Sequence, residues 1–197
     1  MPTKRRLAQE AIHVEQNLLK ENVGSQDQVL AAFGGFNRVD FYGADDIRTS
    51  PIIIGTERLA ALEQGLMLYF TGFTRLASEI ARSQIENTPK RVQELTAMKQ
   101  LVEEAMAVIT EQQDWNVFGE LLHQSWMLKR SLTDQISSPR LDEIYETARR
   151  AGALGGKLLG AGGGGFMLFF APAERQSAIR QALQGLLEVP FRFENSG

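Results

Sequence analysis

A glycine-dense loop constrains this sequence more than any other feature. Five of the six residues from 160 to 165 are glycines, and apolar runs flank the loop at residues 153–159 and Phe166–Phe170. Each glycine costs backbone entropy on folding, so a turn that only reversed the chain would not need five of them. Consecutive unobstructed N–H groups form concavities that bind anions. The pattern therefore predicts two strands joined by a backbone that a phosphate group approaches closely.

Two common nucleotide motifs do not account for this loop. It matches G-x-G-x-x-G in form, but a strand-like apolar run follows it, whereas the dinucleotide fingerprint requires a helix there. The Walker pattern fails because Leu158 follows Lys157 where Ser or Thr is required, and because Ala151 stands in the place of the first glycine. A turn packed tightly against a helix remains the alternative interpretation of the glycines.

The composition indicates a globular chain without a strong charge. The 197 residues include 24 acidic and 21 basic side chains, a formal net charge of −3, which argues against a polycationic nucleic-acid protein. Because the sequence has no cysteine, it excludes a disulfide scaffold, a thiolate nucleophile and a zinc finger. No apolar run reaches the length of about 18 residues that a membrane span needs. We therefore expect a cytoplasmic protein that binds neither nucleic acid nor membrane.

Helical and strand-like patterns alternate in the first third of the chain. Apolar residues with three-four spacing predict a helix over residues 3–20. Ser25, with Gln28 three positions later as in a capping box, predicts a second helix over residues 25–33 that ends at Gly34. Further along, an alternating run at residues 36–41 and a β-branched run at residues 51–54 predict a hairpin. We expect a short helix at residues 57–63, and the compact apolar run Leu66–Phe70 predicts a buried strand.

The middle of the chain is helical, and its end is mixed. Between residues 74 and 150 the apolar spacing predicts four helices, with breaks near Pro89, Asp114 and Pro139. Thr88 and Ser138 are the predicted caps before the two prolines. After the glycine hairpin we expect a helix over residues 173–185 and an edge strand over residues 189–193, since Pro190 cannot donate to a neighbouring strand. Antiparallel strands with segregated helices indicate the α+β class.

Asp27 is the carboxylate with the strongest case for chemistry. It lies in the first turn of a predicted helix, where the helix dipole stabilises a negative charge without any further role. Between Gly24 and Gly34, the same carboxylate could also project into a cleft. There it would accept a proton from a substrate hydroxyl, or orient that hydroxyl for phosphoryl transfer. Both interpretations remain open from the residues alone.

Three stretches carry a resemblance to a known family. They are residues 7–16 together with 24–28, residues 70–75, and residues 157–165. The sequence resembles the kinases of the GHMP superfamily, most closely the D-glycero-D-manno-heptose 7-phosphate kinase branch. This resemblance implies ATP-dependent phosphorylation of a sugar hydroxyl, the anomeric hydroxyl of a heptose 7-phosphate in the synthesis of envelope-glycan precursors.

The resemblance also implies roles for particular residues. Asp27 matches the catalytic aspartate of the family. The loop that closes on the phosphate site corresponds to five glycines, Gly160, Gly162, Gly163, Gly164 and Gly165. For substrate binding the sequence offers Asn37, Arg38 and Arg75, because guanidinium groups suit phosphate recognition. Ordinary surface arginines are the alternative for the last two.

The sequence departs from the family in one large respect. GHMP kinases hold ATP in a Pro-x-x-x-Gly-Leu-Gly-Ser-Ser-type loop, and no such loop occurs here. We therefore predict that residues 1–55 are a remnant of the N-terminal catalytic domain and that residues 56–197 are the C-terminal domain. ATP and Mg²⁺ are expected of the full-length family, with weak or absent binding by this chain and little or no activity alone. Apolar faces that the missing half would cover predict self-association or pairing with that half.

Two other functions remain open. A noncatalytic fragment that binds a phosphorylated ligand or a partner chain would use the same residues without turnover. A di-iron helical protein is suggested by two E-x-x-H pairs, Glu10 with His13 and Glu120 with His123, each of which places a carboxylate and an imidazole one helical turn apart. The glycine loop and the terminal strands have no place in a pure helical bundle.

Overall fold

The chain divides into two compact units. A computed structural model describes residues 2–43, 46–73, 77–111 and 113–197. The first unit comprises Met1–Ile54 and Arg192–Gly197, and the second comprises Gly55–Phe191. Each unit combines helices with an antiparallel sheet, which has two strands in the first and four in the second. The predicted α+β class is therefore confirmed.

The first unit packs two helices with a hairpin. Its elements are α1 Lys4–Ile12, a π-helical turn His13–Leu18, α2 Gln26–Phe33, β1 Asn37–Phe41 and β2 Ile47–Pro51. The predicted N-terminal helix is confirmed with a change of winding at its end, where the π-helical turn takes over. Thr3 begins the helix by accepting a hydrogen bond from the amide of Arg6 at 3.3 Å.

The predicted hairpin is present, but its second strand lies earlier than expected. Strand β2 ends at Pro51, which pairs with Asn37, so the strand predicted over residues 51–54 is wrong except at its first residue. The amide of Ile52 still donates to the carbonyl of Phe36 at 2.9 Å. The Ile53 side chain is 91% exposed and therefore does not pack against a sheet or a core. Local composition favoured a strand for which the described part of the chain supplies no partner.

The predicted capping box at Ser25 is also wrong. The Ser25 hydroxyl makes no hydrogen bond to the amides of α2 and instead accepts one from the Gln16 side chain at 3.2 Å. The Gln28 amide group donates to the Glu15 carboxylate at 2.5 Å. Glu15 and Gln16 both lie in the π-helical turn. These partners take the two side chains that the capping box would have used.

The second unit is a four-stranded sheet with helices. Its elements are α3 Thr56–Gly65, β3 Leu66–Phe70, α4 Ala77–Asn87, a 3₁₀ turn Thr88–Lys90, α5 Val92–Thr110, α6 Trp115–Ser131, α7 Pro139–Arg150, β4 Gly155–Leu158, β5 Phe166–Phe170, α8 Ala173–Ala182 and β6 Leu187–Glu188. The strand order is β4-β5-β3-β6, and all neighbouring strands are antiparallel. The four predicted helices between residues 74 and 150 are confirmed.

One of the two predicted helix caps is confirmed and the other is wrong. Ser138 accepts from the amide of Leu141 at 3.4 Å and begins α7, as predicted. Thr88 is not a cap, because its hydroxyl donates backward to the carbonyl of Gln84 at 2.9 Å. Pro89 therefore lies in the 3₁₀ turn, and α5 begins only at Val92. A hydroxyl beside a proline can serve either the helix that ends or the helix that begins.

The last strand is at an edge of the sheet but not at the predicted residues. Strand β6 consists of Leu187–Glu188 and pairs with the end of β3, where Tyr69 faces Glu188. The predicted strand over residues 189–193 is therefore wrong. The amide of Val189 still donates to the carbonyl of Leu68 at 2.8 Å. Pro190, which follows, has no N–H group to donate to β3, so the pairing of the two strands ends there.

One face of the four-stranded sheet carries the core of the second unit. Alternate residues of β3 and β5 point to this face and are almost fully buried, as period-two side-chain geometry requires. Helices α7 and α8 supply apolar residues that complete the same cluster. Its members include Met67, Tyr69, Met167 and Phe169 from the strands, and Leu141, Tyr145, Ala148 and Ile179 from the helices. None of the helices in the described ranges has the length and apolar composition that a membrane span requires.

Stability should fall on both sides of neutral pH because of two titratable groups in contact, the buried Tyr145 phenol of this core and the half-buried His123 imidazole. Burial raises the pKa of Tyr145 to about 12, and His123, whose Nδ1 lies 2.7 Å from the Tyr145 hydroxyl, has its pKa lowered by burial and by Arg149. Above about pH 10 the unfolded phenol loses its proton first, so stability falls as pH rises toward 12. Below about pH 6.5 the unfolded imidazole gains a proton first, so stability falls again.

Urea unfolding across this pH range measures the effect. The Tyr145→Phe variant should show a shallower alkaline decline, and the His123→Gln variant should show a shallower acidic decline. A parent chain whose alkaline decline is unchanged by Tyr145→Phe would contradict the assignment to this phenol.

Candidate active site

The glycine loop is the connection of a tight hairpin. Strands β4 and β5 pair antiparallel up to Leu158 opposite Met167, and the amide of Leu159 donates to the carbonyl of Phe166 at 2.9 Å. Residues 160–165 therefore connect two strands whose last rung is closed. Both strands predicted around the loop are confirmed, with observed bounds Gly155–Leu158 and Phe166–Phe170.

Every glycine of this loop has a positive φ angle. The values are 68°, 130°, 75°, 150° and 101° at Gly160, Gly162, Gly163, Gly164 and Gly165. A Cβ atom on Gly164 would stand 2.6 Å from the carbonyl oxygen of Phe73, so a side chain is excluded there. At Gly160 and Gly165 nothing lies within 4 Å of such an atom. The loop is thus packed against the protein on one side and open on the other.

Backbone hydrogen bonds fix the packed side of the loop. The amide of Gly163 donates to the carbonyl of Ile136 at 2.9 Å, and the amide of Gly165 donates to the carbonyl of Phe73 at 2.9 Å. Thr71, which is fully buried, donates its amide and its hydroxyl to the carbonyl of Gly165 at 2.8 and 2.9 Å. Because Thr71 immediately follows β3, the central sheet itself holds the end of the loop.

Two further side chains reach the loop from distant helices. The Lys129 ammonium, in the last turn of α6, donates to the carbonyls of Leu158 at 3.2 Å and Gly160 at 2.6 Å. The Gln84 amide group, in α4, donates to the carbonyl of Ala161. Sequence reasoning missed both residues, because no motif connects them to a loop that lies tens of residues further along the chain.

Two cationic groups lie at the loop or at a residue that holds it. The Lys129 ammonium bonds the carbonyl of Gly160, and the Arg140 guanidinium lies over the ring of Phe73, 4.8 Å from its centroid. These two cations make this part of the second unit suitable for an anion. Lys157, on strand β4, has its pKa lowered by burial, which disfavours its charged form.

Asp27 is exposed in the first turn of α2, in the first unit. The segment that precedes it is held by the π-helical turn, because the Gln16 side chain donates to the carbonyl of Val23 at 2.9 Å as well as to Ser25. The neighbouring Gln28 is 9% exposed and bonded to Glu15. The side-chain carbonyl oxygen of Gln28, Oε1, is buried and has no hydrogen-bond partner among the described residues. The backbone around Asp27 is therefore well supported while its carboxylate faces solvent.

The predicted substrate-binding residues have structural partners of their own. The Asn37 side chain donates to the carbonyl of Gly34 at 2.6 Å, which closes the turn after α2. The Arg38 guanidinium bonds both carboxylate oxygens of Asp40 at 2.9 to 3.1 Å. Arg75 lies outside the described residues. The roles of these three residues, of Asp27 and of the five glycines stay predictions.

The E-x-x-H pairs do not form a metal site in the described part of the chain. No group of three or more His, Cys, Asp or Glu side chains there is arranged to hold a metal ion. The His123 ring contacts Tyr145 instead, and the Glu10 carboxylate bonds Arg6 at 2.7 Å. The di-iron interpretation therefore receives no support from this geometry.

Comparison with known proteins gives one consistent family. Residues 97–188 match the family model described as GHMP kinases C terminal. D-glycero-alpha-D-manno-heptose 7-phosphate kinase of Campylobacter jejuni is 32% identical over 196 residues, which are 97% of this chain and 57% of that protein. A mevalonate kinase of Pyrococcus horikoshii is 35% identical over 143 residues, 68% of this chain and 42% of that protein.

A solved structure has the same fold. The crystal structure of a D-glycero-D-manno-heptose 1-phosphate kinase from Bacteriodes thetaiotaomicron superposes with a TM-score of 0.70 at 24% identity. The match covers 96% of this chain and 52% of that one. At this identity the superposition supports the fold alone.

Residues 97–188 thus belong to the GHMP kinase C-terminal domain family, and the chain as a whole is homologous to a C-terminal portion of a heptose 7-phosphate kinase. The resemblance found in the sequence is confirmed. The chain spans about half the length of the curated relatives it matches.

Proposed function

We propose that this chain is the C-terminal part of an ATP-dependent GHMP-type kinase that phosphorylates a hydroxyl of a heptose 7-phosphate in the cytoplasm. The observation that carries the proposal is the clamped glycine hairpin, whose open side offers backbone amides beside the basic groups Lys129 and Arg140. The Campylobacter jejuni kinase, which is similar along 97% of the chain, supports the same substrate class.

In this proposal Asp27 and the glycine loop have different roles. The Asp27 carboxylate orients the acceptor hydroxyl and accepts its proton as the new ester bond forms. The amides of the glycine loop hold phosphate oxygens and stabilise the charge that develops on them. ATP would supply the phosphoryl group as the bond between its γ-phosphorus and the bridging oxygen breaks and ADP leaves, and bound Mg²⁺ would neutralise part of the phosphate charge. The loop residues fit a phosphate, whereas Mg²⁺ would be held mainly through phosphate oxygens, since the described residues offer no carboxylate cluster.

We propose that the first unit pairs with a partner. We assign residues 1–55 to an N-terminal catalytic domain and residues 56–197 to the C-terminal domain. Leu18 and Leu19 are each 64% exposed at the end of the N-terminal helix, and Leu7 is 47% exposed along it. Apolar side chains at this exposure favour self-association or pairing with the N-terminal part of a GHMP-type kinase.

A fusion kinase tests the proposed function. The N-terminal part of the Campylobacter jejuni kinase, up to the point where its similarity to this chain begins, is joined to residue 1. We expect the fusion to transfer phosphate from ATP to D-glycero-D-manno-heptose 7-phosphate, followed by ³¹P NMR and ADP release. The 197-residue chain alone should show little or no turnover.

Variants of the fusion identify the carboxylate. Asp27→Asn should lower kcat by about a hundredfold or more, as expected for loss of a general base. Glu21→Gln, which removes an exposed carboxylate six residues earlier, should keep the parent rate. A fusion that unfolds cooperatively but transfers no phosphate contradicts the kinase proposal. That outcome would favour the second candidate, a noncatalytic ligand-binding fragment.

A further inference from the structure

The carbonyl groups at the start of the glycine loop are held by side chains from two helices. Lys129 holds the carbonyl of Gly160 at 2.6 Å, and Gln84 holds the carbonyl of Ala161. Both donors approach from the body of the second unit, one from α6 and the other from α4. The orientation of two successive peptide groups is therefore set by side chains and not by the loop itself.

Peptide geometry converts these carbonyl contacts into amide directions. A trans peptide is planar, so the carbonyl of one residue and the N–H of the next point in opposite directions. No cis peptide occurs in the described part of the chain. Because the carbonyl of Gly160 points to Lys129, the amide of Ala161 points away from α6. Because the carbonyl of Ala161 points to Gln84, the amide of Gly162 points away from α4.

The loop amides differ in whether the protein supplies an acceptor. Gly163 and Gly165 donate to protein carbonyls at 2.9 Å, so their amides are already used. The amides of Gly160, Ala161, Gly162 and Gly164 have no acceptor among the described residues, and of these four residues Gly162 is buried. Ala161 and Gly162 are the two whose direction is set by the contacts of Lys129 and Gln84. A buried N–H without an acceptor is unfavourable, and such donors are rare in folded proteins. An oxygen atom of a bound ligand would supply the acceptor.

We propose that Lys129 and Gln84 are positioning residues that turn the amides of Ala161 and Gly162 toward a bound phosphate group, while Gly163 and Gly165 serve only to pack the loop. The inference rests on the proposed function for the class of ligand. It goes beyond that function in separating Gly162 from Gly163 and Gly165 and in adding two side chains outside the loop. The phosphate comes either from the nucleotide or from the sugar phosphate.

Amide chemical shifts of the 197-residue chain test the division. ¹⁵N-labelled chain is titrated with inorganic pyrophosphate, with ADP and with mannose 6-phosphate, and the last two distinguish the source of the phosphate. The amides of Ala161 and Gly162 should shift several times more than those of Gly163 and Gly165. Equal shifts at all four amides, larger shifts at Gly163 and Gly165, or no loop shift with any probe would each overturn the inference.

Charge-matched variants test the two positioning side chains. Lys129→Gln should weaken pyrophosphate binding by about tenfold and should remove most of the pyrophosphate-induced shift at Ala161 and Gly162, and Gln84→Leu should have a similar effect at Gly162. Lys129→Arg keeps a donor and should keep the parent shifts. Lys99→Gln, an equal loss of charge on the exposed surface of α5, should leave the shifts of the loop amides unchanged. If Lys129→Gln and Lys99→Gln behave alike, Lys129 acts only through its charge and the positioning role is overturned.

The amide-shift test does not depend on whether the fusion kinase is active. The proposed function fails if the fusion kinase is inactive, whereas this inference fails if the amide pattern is absent in the chain itself. Loop amides that bind phosphate in an inactive fusion would leave the inference standing and the kinase proposal refuted.

Discussion

A Gly155→Ala variant should unfold at a much lower urea concentration than the parent chain. Gly155 opens strand β4 at the point where helix α6 crosses the edge of the sheet. A Cβ atom at this position would overlap the carbonyl oxygen of Gly119 and would stand 2.7 Å from the amide nitrogen of His123. Both obstructing atoms belong to the backbone of α6, so no rotation of a flexible side chain relieves the overlap.

The expected cost follows from the stiffness of that contact. Inserting a methyl group into a packed interior costs about 1 to 3 kcal/mol, and the upper end or more applies where backbone must move. We therefore expect a loss of about 3 kcal/mol in the free energy of unfolding of the second unit, measured from the urea midpoint at unchanged m-value. Gly185→Ala is the matched control, because nothing lies within 4 Å of its added methyl group. Equal midpoints for the two variants would show that α6 is not packed against β4 this closely.

Local signals in the sequence were sufficient for most helix boundaries. Ser138 before Pro139 caps α7, and Asp114 accepts from the amide of Asn116 at 2.9 Å at the start of α6. A cap acts on amides two or three residues away, so its signal is contained in the sequence beside it. The same kind of signal failed at Thr88 and Ser25, where a carbonyl or a side chain outside the helix competed for the hydroxyl.

Strand positions were less predictable because strands depend on partners. Leu66–Phe70 is a central strand with apolar residues throughout, and its pattern predicted it correctly. The two-residue strand β6 has no pattern of its own and exists because β3 leaves an unpaired edge beside Tyr69. Residues 52–54 had suitable composition but no neighbouring strand. Pairing is therefore decided by distant residues that composition does not reveal.

In the candidate site, too, the feature formed by consecutive residues was predictable from the sequence, and the contacts made by distant residues were not. The glycine loop was evident from its composition, and its packing against Phe73 explains why glycine is required at position 164. The side chains that orient the loop, Lys129 and Gln84, come from other helices and carry no motif. The segment before Asp27 is held by a π-helical turn. The spacing of apolar residues predicted an ordinary α-helix there and gave no sign of the wider π-helical turn.

Arg58→Ala is expected to cause the other large loss of stability. The Arg58 guanidinium, from helix α3, donates to the carbonyls of Val108 and Ile109 in the last turn of α5 and to that of Gln113 at 2.7 Å. Its carbon centre also lies 4.1 Å from the ring centroid of Trp115, the first residue of α6. One side chain thus satisfies helix-end carbonyls that have no partner within their own helix and joins two helices to a third.

The size of the effect distinguishes this contact from ordinary surface ion pairs. Hydrogen bonds to a charged donor contribute about 1.5 to 3 kcal/mol each, and part of this is recovered when water reaches the released carbonyls. We expect a net loss of about 3 kcal/mol in urea unfolding of Arg58→Ala, and a smaller loss for Arg58→Lys, which keeps the charge but not the planar fork. Arg82→Ala removes an exposed guanidinium that lies 3.7 Å from Glu86 and should unfold like the parent, since such pairs contribute little. If Arg58→Ala also unfolds like the parent, water satisfies the end of α5 without help from Arg58.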